Sequence, residues 1–195
     1  QPNLDLKAFF KAKWDFASAD EKLRLAKIIV SDWGGVRRNL DATLKCYVDR
    51  AAEANPSTPI QGIASYSKIL AVVSPDRFAI YDARVAACLN AVQISAGLQS
   101  GVAFNYVPGR NSIVGSALTK VGFTQQEKYS VAKLVQRGWL RIPRDQTYQR
   151  YLELLQLLMG DHVAPCFLKA LRPYRLDRPP ARGRDDKGRG WDDGY

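Results

Sequence analysis

Two charged residues, Lys68 and Asp82, stand in the sequence where short helices are predicted to begin. Lys68 is followed by the apolar run ILAVV, so its stem should lie in an apolar environment at the positive end of a helix. Both conditions favour the neutral, nucleophilic amine. Asp82 precedes ARVAACLNAVQ and can accept hydrogen bonds from the first-turn N–H groups of that helix, which holds its carboxylate ionised. Such a pair could form a Schiff base at a sugar C1′ and stabilise the cationic transition state that precedes it.

Each of these two residues also has a more ordinary interpretation. An aspartate placed before a helix is most often an N-cap and nothing else. A lysine is most often a solvated surface residue. The catalytic interpretation therefore depends on Lys68 and Asp82 together, joined by the linker FAIYD, and it is a hypothesis about their mutual position in the fold.

The elements that would position this pair are predicted to be helical. An apolar stripe at helical spacing in NLDLKAFFKAKWDFA predicts a first helix. Ser18 is followed three residues later by Glu21, which predicts a second helix that begins with a capping box. Trp33, Gly34 and Gly35 should end that helix, because glycine tolerates the left-handed cap.

The segment around the pair predicts three further helices. One helix is expected over residues 39–54 and is broken by NPSTP. A short apolar helix should follow Ser65 and stop at Pro75, and a longer one should follow Asp82. Residues 97–122 then contain five glycines and are predicted to form a long loop, which compact domains usually keep for a purpose.

Helices are predicted to resume after this loop. TQQEKYSVAKLVQRGW carries a second capping box, from Thr124 to Glu127. DQTYQRYLELLQLLM and HVAPCFLKAL follow, the last weakened by Pro165. Strand patterns are no longer than FAIY, and the sequence has no internal repeat. The predicted fold class is therefore all-α, with seven or eight helices.

The C-terminal part of the sequence differs in composition from the rest. Residues 172–195 contain seven Lys and Arg and five Asp, with many Pro and Gly. Such a segment cannot bury enough apolar surface to offset the entropy of ordering it. The sequence therefore predicts one helical domain over residues 1–171 and a flexible basic tail over residues 172–195.

The charge of the chain indicates the chemistry of its partner. The sequence has 29 Lys and Arg against 19 Asp and Glu, a net charge of +10, which makes a polyanion the first partner to consider. The usual candidates are nucleic acid and an acidic membrane surface, and double-stranded DNA would be bound through phosphate contacts that weaken steeply as salt rises. Tyr66, two residues before Lys68, could stack on a flipped base or could pack in the core. The candidate DNA-contacting residues are Arg37, Arg38, Tyr66, Arg84, Arg110 and Lys120.

Other kinds of site and location are disfavoured by the sequence. The three cysteines lie far apart and His162 is the single histidine, so we expect no metal site. Scattered cysteines suit a reducing cytoplasm. The apolar runs fall short of the roughly 18 residues that a membrane-spanning helix requires. We therefore expect a cytoplasmic monomer without a membrane partner.

The segment from Lys68 to Val85, with its Pro75 and FAIYDARV, resembles the lysine–aspartate segment of the helix-hairpin-helix DNA glycosylases. It is most similar to the 8-oxoguanine DNA glycosylase-like branch, over residues 60–90. The resemblance implies an all-helical, two-lobed fold that clasps bent duplex DNA and accepts a flipped nucleotide in a cleft.

The resemblance also implies roles for the two residues. Lys68 would displace a damaged or modified base, 8-oxoguanine among the candidates, and then promote β-elimination, which is AP lyase activity. Asp82 would stabilise the positive charge that develops on the deoxyribose, and no cofactor would be required.

Two alternatives to a glycosylase stay open. The hairpin QGIASYSK has Gly62 but lacks the glycine that typically stands two residues before the lysine and lets the backbone approach a phosphate. This departure favours a non-catalytic DNA-binding module of the same fold. A third hypothesis is a helical protein-interaction domain whose charge serves an acidic protein partner.

Overall fold

Helices make up most of the protein, in agreement with the predicted all-α class. The computed structural model describes residues 2–107, 114 and 122–159. Within these residues the α-helices are α1 (Pro2–Asp15), α2 (Ala19–Lys27), α3 (Asp41–Ala51), α4 (Ile63–Val73), α5 (Ala83–Ser95), α6 (Val131–Gln136) and α7 (Thr147–Met159). Two-residue strands, β1 (Val102–Ala103) and β2 (Leu140–Arg141), pair in parallel. Strands this short carry no alternation that a sequence could reveal.

The start and the end of α2 follow the predicted signals. The Ser18 hydroxyl accepts a hydrogen bond from the Glu21 N–H, and the Glu21 carboxylate accepts one from the Ser18 N–H, which confirms the capping box. The helix continues into a π-helical turn, Ile28–Trp33. It ends at Gly34, and Gly35, with a φ of +71°, takes the left-handed conformation.

Helix α4 begins earlier than predicted. Its first residue is Ile63, and its N-cap is Gly62, whose φ of +77° lies in the left-handed region that favours glycine. Lys68 is therefore the sixth residue of α4, beyond the first turn where a helix dipole acts most strongly. The prediction that Lys68 opens its helix is wrong, and a different physical cause must govern its protonation.

The second predicted capping box is not formed. Phe123–Gln125 is a single 3₁₀ turn, and α6 begins only at Val131. The polar residues 125–128 are all exposed, so a helix there would bury no apolar face, and tertiary packing is what stabilises most helices. Helical structure resumes where Leu134 enters the core.

One contiguous core joins the N-terminal helices to α7. It contains Leu44, Ile63, Ile69 and Tyr81, which are all almost completely buried, and Tyr148 of α7 packs edge-on against Tyr81. The linker that precedes α5 is thereby held between α4 and α7.

Two further predictions concern the C-terminal residues and the length of the helices. Residues 160–195, which include the predicted C-terminal helix and the predicted basic tail, lie outside the described part of the chain. In the part that is described, every helix is too short or too polar to cross a bilayer.

Candidate active site

Lys68 is a buried lysine. It is 5% exposed, and its Nζ donates a hydrogen bond of 2.5 Å to the Ala64 carbonyl oxygen, four residues earlier in α4. This is the direction in which helical side chains lean. Burial lowers the pKa of Lys68, because desolvation penalises the ammonium form. The neutral amine expected from the sequence is thus favoured by burial rather than by a helix end.

The stem of Lys68 lies against the backbone that follows the π-helical turn. A Cβ atom on Gly34 would stand 2.4 Å from Lys68 Cδ and 2.7 Å from the Val30 carbonyl oxygen. Side chains do not tolerate contacts that short, so only glycine leaves room for the lysine here. π-helical turns are rare and occur frequently at functional sites.

Asp82 is the N-cap of α5, as predicted. Its Oδ1 accepts hydrogen bonds from the Arg84 N–H at 2.9 Å and from the Val85 N–H at 3.1 Å. Both bonds end on the same oxygen, so Oδ2 takes no part in the cap. A carboxylate used in this way has a fixed position and one oxygen available for another task.

Lys68 and Asp82 interact through space without forming an ion pair. The charge of Asp82 raises the pKa of Lys68 and the charge of Arg84 lowers it, but both effects are smaller than that of burial. The ion pairs among the described residues include neither Lys68 nor Asp82. The charge of Asp82 therefore acts on Lys68 although the two side chains are not paired.

Ser67 sets the position of α4 relative to the linker before α5. Its hydroxyl accepts a hydrogen bond from the Tyr81 N–H at 3.0 Å and donates one to the Tyr81 carbonyl oxygen at 3.3 Å. Sequence reasoning missed this residue. A serine within a mostly apolar helix is the signal that could have found it, because buried polar groups are nearly always hydrogen-bonded.

Two tyrosines hold the linker from other sides. The Tyr81 hydroxyl donates to the Asn105 carbonyl oxygen at 2.8 Å, and the Tyr148 hydroxyl donates to the Ala79 carbonyl oxygen at 2.8 Å. Burial raises the pKa of both tyrosines above the ordinary value, so both stay protonated donors. Asp82 therefore extends from a backbone with little freedom to move.

Tyr66 does not occupy the position expected of a base-stacking residue. It is 1% exposed and stacks on Tyr47 with a ring separation of 5.0 Å. Burial raises its pKa to about 12, and its hydroxyl has no hydrogen-bond partner among the residues that the structure describes. The ring of Tyr66 therefore packs in the core, which is the alternative that the sequence left open, and its contact with DNA stays a prediction.

Of the predicted basic residues, Arg84 lies on α5, and Arg37 and Arg38 lie in the loop between the π-helical turn and α3. Arg37 and Arg38 are exposed, and Arg37 comes three residues after Gly34, a stretch of chain that reaches at most about 11 Å. Arg84 is exposed in the first turn of α5, beside Asp82. Arg110 and Lys120 lie outside the described residues.

The described residues contain no cluster of His, Cys, Asp and Glu that could hold a metal ion. An apolar pocket of about 340 Å³ is present, but it lies between α5 and α7 and its walls include neither Lys68 nor Asp82. The chemistry available at the candidate active site is therefore that of an amine and a carboxylate.

Comparison with known proteins gives no family assignment. No protein-family model, no curated protein and no solved structure matches the chain. The function must therefore be argued from Lys68, Asp82 and the elements that hold them.

Proposed function

We propose that this protein is a DNA glycosylase that uses Lys68 as its nucleophile. The burial of Lys68 is the observation that carries the proposal. Fully buried lysines are rare unless they are paired, and a lysine with a lowered pKa beside a carboxylate is typical of functional sites. The two-lobed helix-hairpin-helix architecture and an 8-oxoguanine-like substrate are parts of the proposal that rest on the resemblance of residues 60–90 to that family.

The proposed reaction begins with the neutral Lys68 amine. Its nitrogen attacks C1′ of a flipped nucleotide, the bond from C1′ to the base breaks, and the base leaves with the electron pair and takes up a proton. Asp82 stabilises the positive charge that develops on the sugar. The attached nitrogen then loses a proton, and the bond from C1′ to O4′ breaks with its electron pair on O4′, which takes up a proton. The resulting protonated Schiff base would cleave the strand by β-elimination, in which a C2′ proton and the 3′ phosphate are lost.

Substrate binding must break one hydrogen bond of Lys68 before this reaction can start. The amine is held by the Ala64 carbonyl inside α4, so attack requires this hydrogen bond to break and the side chain to turn towards the sugar. Catalytic hydrogen bonds often take their reactive geometry only in the complex with substrate. DNA bending and nucleotide flipping supply such a change.

The rest of the proposal concerns binding. Arg37, Arg38 and Arg84 would contact phosphates on either side of the flipped nucleotide, supported by the net charge of +10. We propose double-stranded DNA as the partner, a monomer as the active form, no cofactor, and a cytoplasmic location.

A non-catalytic DNA-binding module of the same fold is the second candidate function. The hydrogen bond from Lys68 to Ala64 favours it, because a lysine retained inside its own helix serves packing rather than chemistry.

Borohydride trapping on single-lesion duplexes, including 8-oxoguanine and an abasic site, separates the candidates. The wild type and Lys45→Gln, a substitution of an exposed lysine in α3, should both form a covalent adduct, and Lys68→Gln should form none. If no duplex gives an adduct or base release, yet binding weakens with salt, the protein is a binding module. If no duplex binds at low salt, a helical protein-interaction domain becomes the better description.

A further inference from the structure

Tyr151 of α7 lies beside the linker that carries Asp82. Its ring is 5.1 Å from the ring of Tyr81, the residue that directly precedes Asp82. The ring of Tyr148, three residues earlier in α7, is 6.3 Å from the Tyr151 ring. Tyr151 is 7% exposed. Aromatic packing therefore fixes its ring close to the backbone from which the Asp82 carboxylate extends.

The hydroxyl of Tyr151 is the part of the side chain that interacts with Asp82. Burial raises the pKa of Tyr151, and the charge of Asp82 raises it further. The main causes of the raised pKa of Tyr81 and of Tyr148 do not include Asp82. An ionised phenol carries its charge on the oxygen, so this interaction joins the Tyr151 oxygen to the carboxylate. Tyr151 therefore stays a protonated hydrogen-bond donor near Asp82.

This donor is not used by the described part of the protein. The hydroxyls of Tyr81 and Tyr148 donate to backbone carbonyl oxygens. Among the residues that the structure describes, the Tyr151 hydroxyl forms no hydrogen bond, and it is not sealed from solvent as the Tyr66 hydroxyl is. Buried polar groups are nearly always hydrogen-bonded, so an unused phenol beside a carboxylate indicates a place for an acceptor atom of a ligand.

The proposed reaction contains a step that requires a donor at this place. When the bond from C1′ to O4′ breaks, the electron pair stays on O4′, and this oxygen must receive a proton. An alkoxide is a stronger base than a phenolate, so a neutral phenol can protonate it. Asp82 is proposed to stabilise positive charge on the same sugar, and a donor beside Asp82 would therefore lie near O4′.

We propose that Tyr151 is a third catalytic residue, whose hydroxyl donates a hydrogen bond to O4′ of the flipped nucleotide and protonates it as the sugar ring opens. The Tyr151 O–H bond breaks, its proton passes to O4′, and the electron pair stays on the phenolate. Through solvent, the phenolate then takes up the proton that the attached Lys68 nitrogen loses, so the exchange is balanced. The inference rests on the proposed glycosylase function and adds a general acid to it.

Tyr151→Phe tests the inference, because it removes the hydroxyl and keeps the ring. On an abasic-site duplex, borohydride trapping in single-turnover reactions should form the adduct on the order of 100-fold more slowly than the wild type, a typical contribution of a general acid. On a lesion duplex from which the wild type releases the base, base release precedes ring opening and should keep the wild-type rate. The urea midpoint should also match that of the wild type.

Tyr106→Phe is the matched control. It removes another largely buried tyrosine hydroxyl, one that donates to the Tyr129 carbonyl oxygen at 2.9 Å, and it should form the adduct at the wild-type rate. Adduct formation by Tyr151→Phe at the wild-type rate would overturn the inference, and so would an equal loss of base release and adduct formation. If the wild type forms no adduct on any duplex, the proposed function itself fails and the inference fails with it.

Discussion

Ser67 and Tyr81 are joined by two hydrogen bonds between the Ser67 hydroxyl and the Tyr81 backbone, at 3.0 and 3.3 Å. Ser67 immediately precedes Lys68, and Tyr81 immediately precedes Asp82. These bonds bring together two segments that are 14 residues apart in the chain. The position of Asp82 relative to Lys68 is therefore set by a buried neutral hydroxyl and not by an ion pair.

Replacing Ser67 with Ala should destabilise the protein. The Tyr81 N–H would lose its partner in the core, which costs about 1–3 kcal/mol of the free energy of unfolding. Urea denaturation of wild type and variant measures the difference. Ser95→Ala, at the exposed end of α5, is the control and should change stability by less than about 0.5 kcal/mol. Equal stability of the two variants would show that Ser67 does not fix the linker.

Replacing Gly34 with Ala should displace the Lys68 side chain. The new Cβ would stand 2.4 Å from Lys68 Cδ, and overpacking of this kind costs about 1–3 kcal/mol. Gly35→Ala is the matched control. Gly35 has a φ of +71° and open space around it, so its substitution costs about 1–2 kcal/mol of backbone strain without touching the lysine.

A double-mutant cycle separates these two effects. In a Lys68→Ala background, the destabilisation by Gly34→Ala should become smaller, and that by Gly35→Ala should stay the same. Thermal or urea denaturation of the wild type, the three single variants and the two double variants supplies the free energies of unfolding. If the free-energy changes of Gly34→Ala and Lys68→Ala simply add, the contact between position 34 and the Lys68 side chain is contradicted.

The stability of the protein should depend on pH through Lys68. Burial lowers its pKa from the ordinary 10.5, so between the lowered pKa and 10.5 the unfolded chain binds a proton that the folded chain does not. The free energy of unfolding contributed by Lys68 therefore rises with pH across this window. In Lys68→Met this rise should disappear, while the exposed-site variant Lys45→Met should keep it. Denaturation at a series of pH values provides the check, and identical profiles for all three proteins would exclude a lowered pKa.

Removing the hydroxyl of Tyr66 should stabilise the protein. This buried oxygen has no hydrogen-bond partner in the described part of the chain, so Tyr66→Phe should raise the free energy of unfolding by about 1 kcal/mol. Tyr148→Phe loses a donor bond of 2.8 Å to Ala79 and should lower it by about 1 kcal/mol. Denaturation of both variants tests the contrast. A Tyr66→Phe variant that loses both stability and DNA affinity would contradict the packing role and support the DNA contact.

Substitutions of Asp82 should separate its role as the N-cap of α5 from its proposed role in catalysis. Asp82→Asn keeps a side-chain oxygen for the Arg84 and Val85 N–H groups, so stability should change by less than about 0.5 kcal/mol. Asp82→Ala loses the cap and should cost about 1 kcal/mol. Both variants remove the charge that raises the pKa of Lys68, so both should lower that pKa further. Adduct formation that survives in Asp82→Asn would show that the carboxylate acts only as a cap.

The sequence by itself determined the features whose physics is local. The capping box from Ser18 to Glu21, the helix end at Gly34 and Gly35, and the Asp82 cap all involve groups a few residues apart in the chain. A free N–H group is satisfied there by a side chain that the sequence necessarily places beside it. The all-α class followed from the same local signals.

Only the tertiary structure decided the environment of the candidate active site. The sequence placed Lys68 at a helix end, yet α4 begins at Ile63, and the lysine is buried where its stem packs against the backbone at Gly34. Tyr66 stands beside Lys68 in sequence but lies in the core against Tyr47. Burial and side-chain pairing depend on which surfaces come into contact after the chain has folded. The spacing of residues along the sequence does not reveal those contacts.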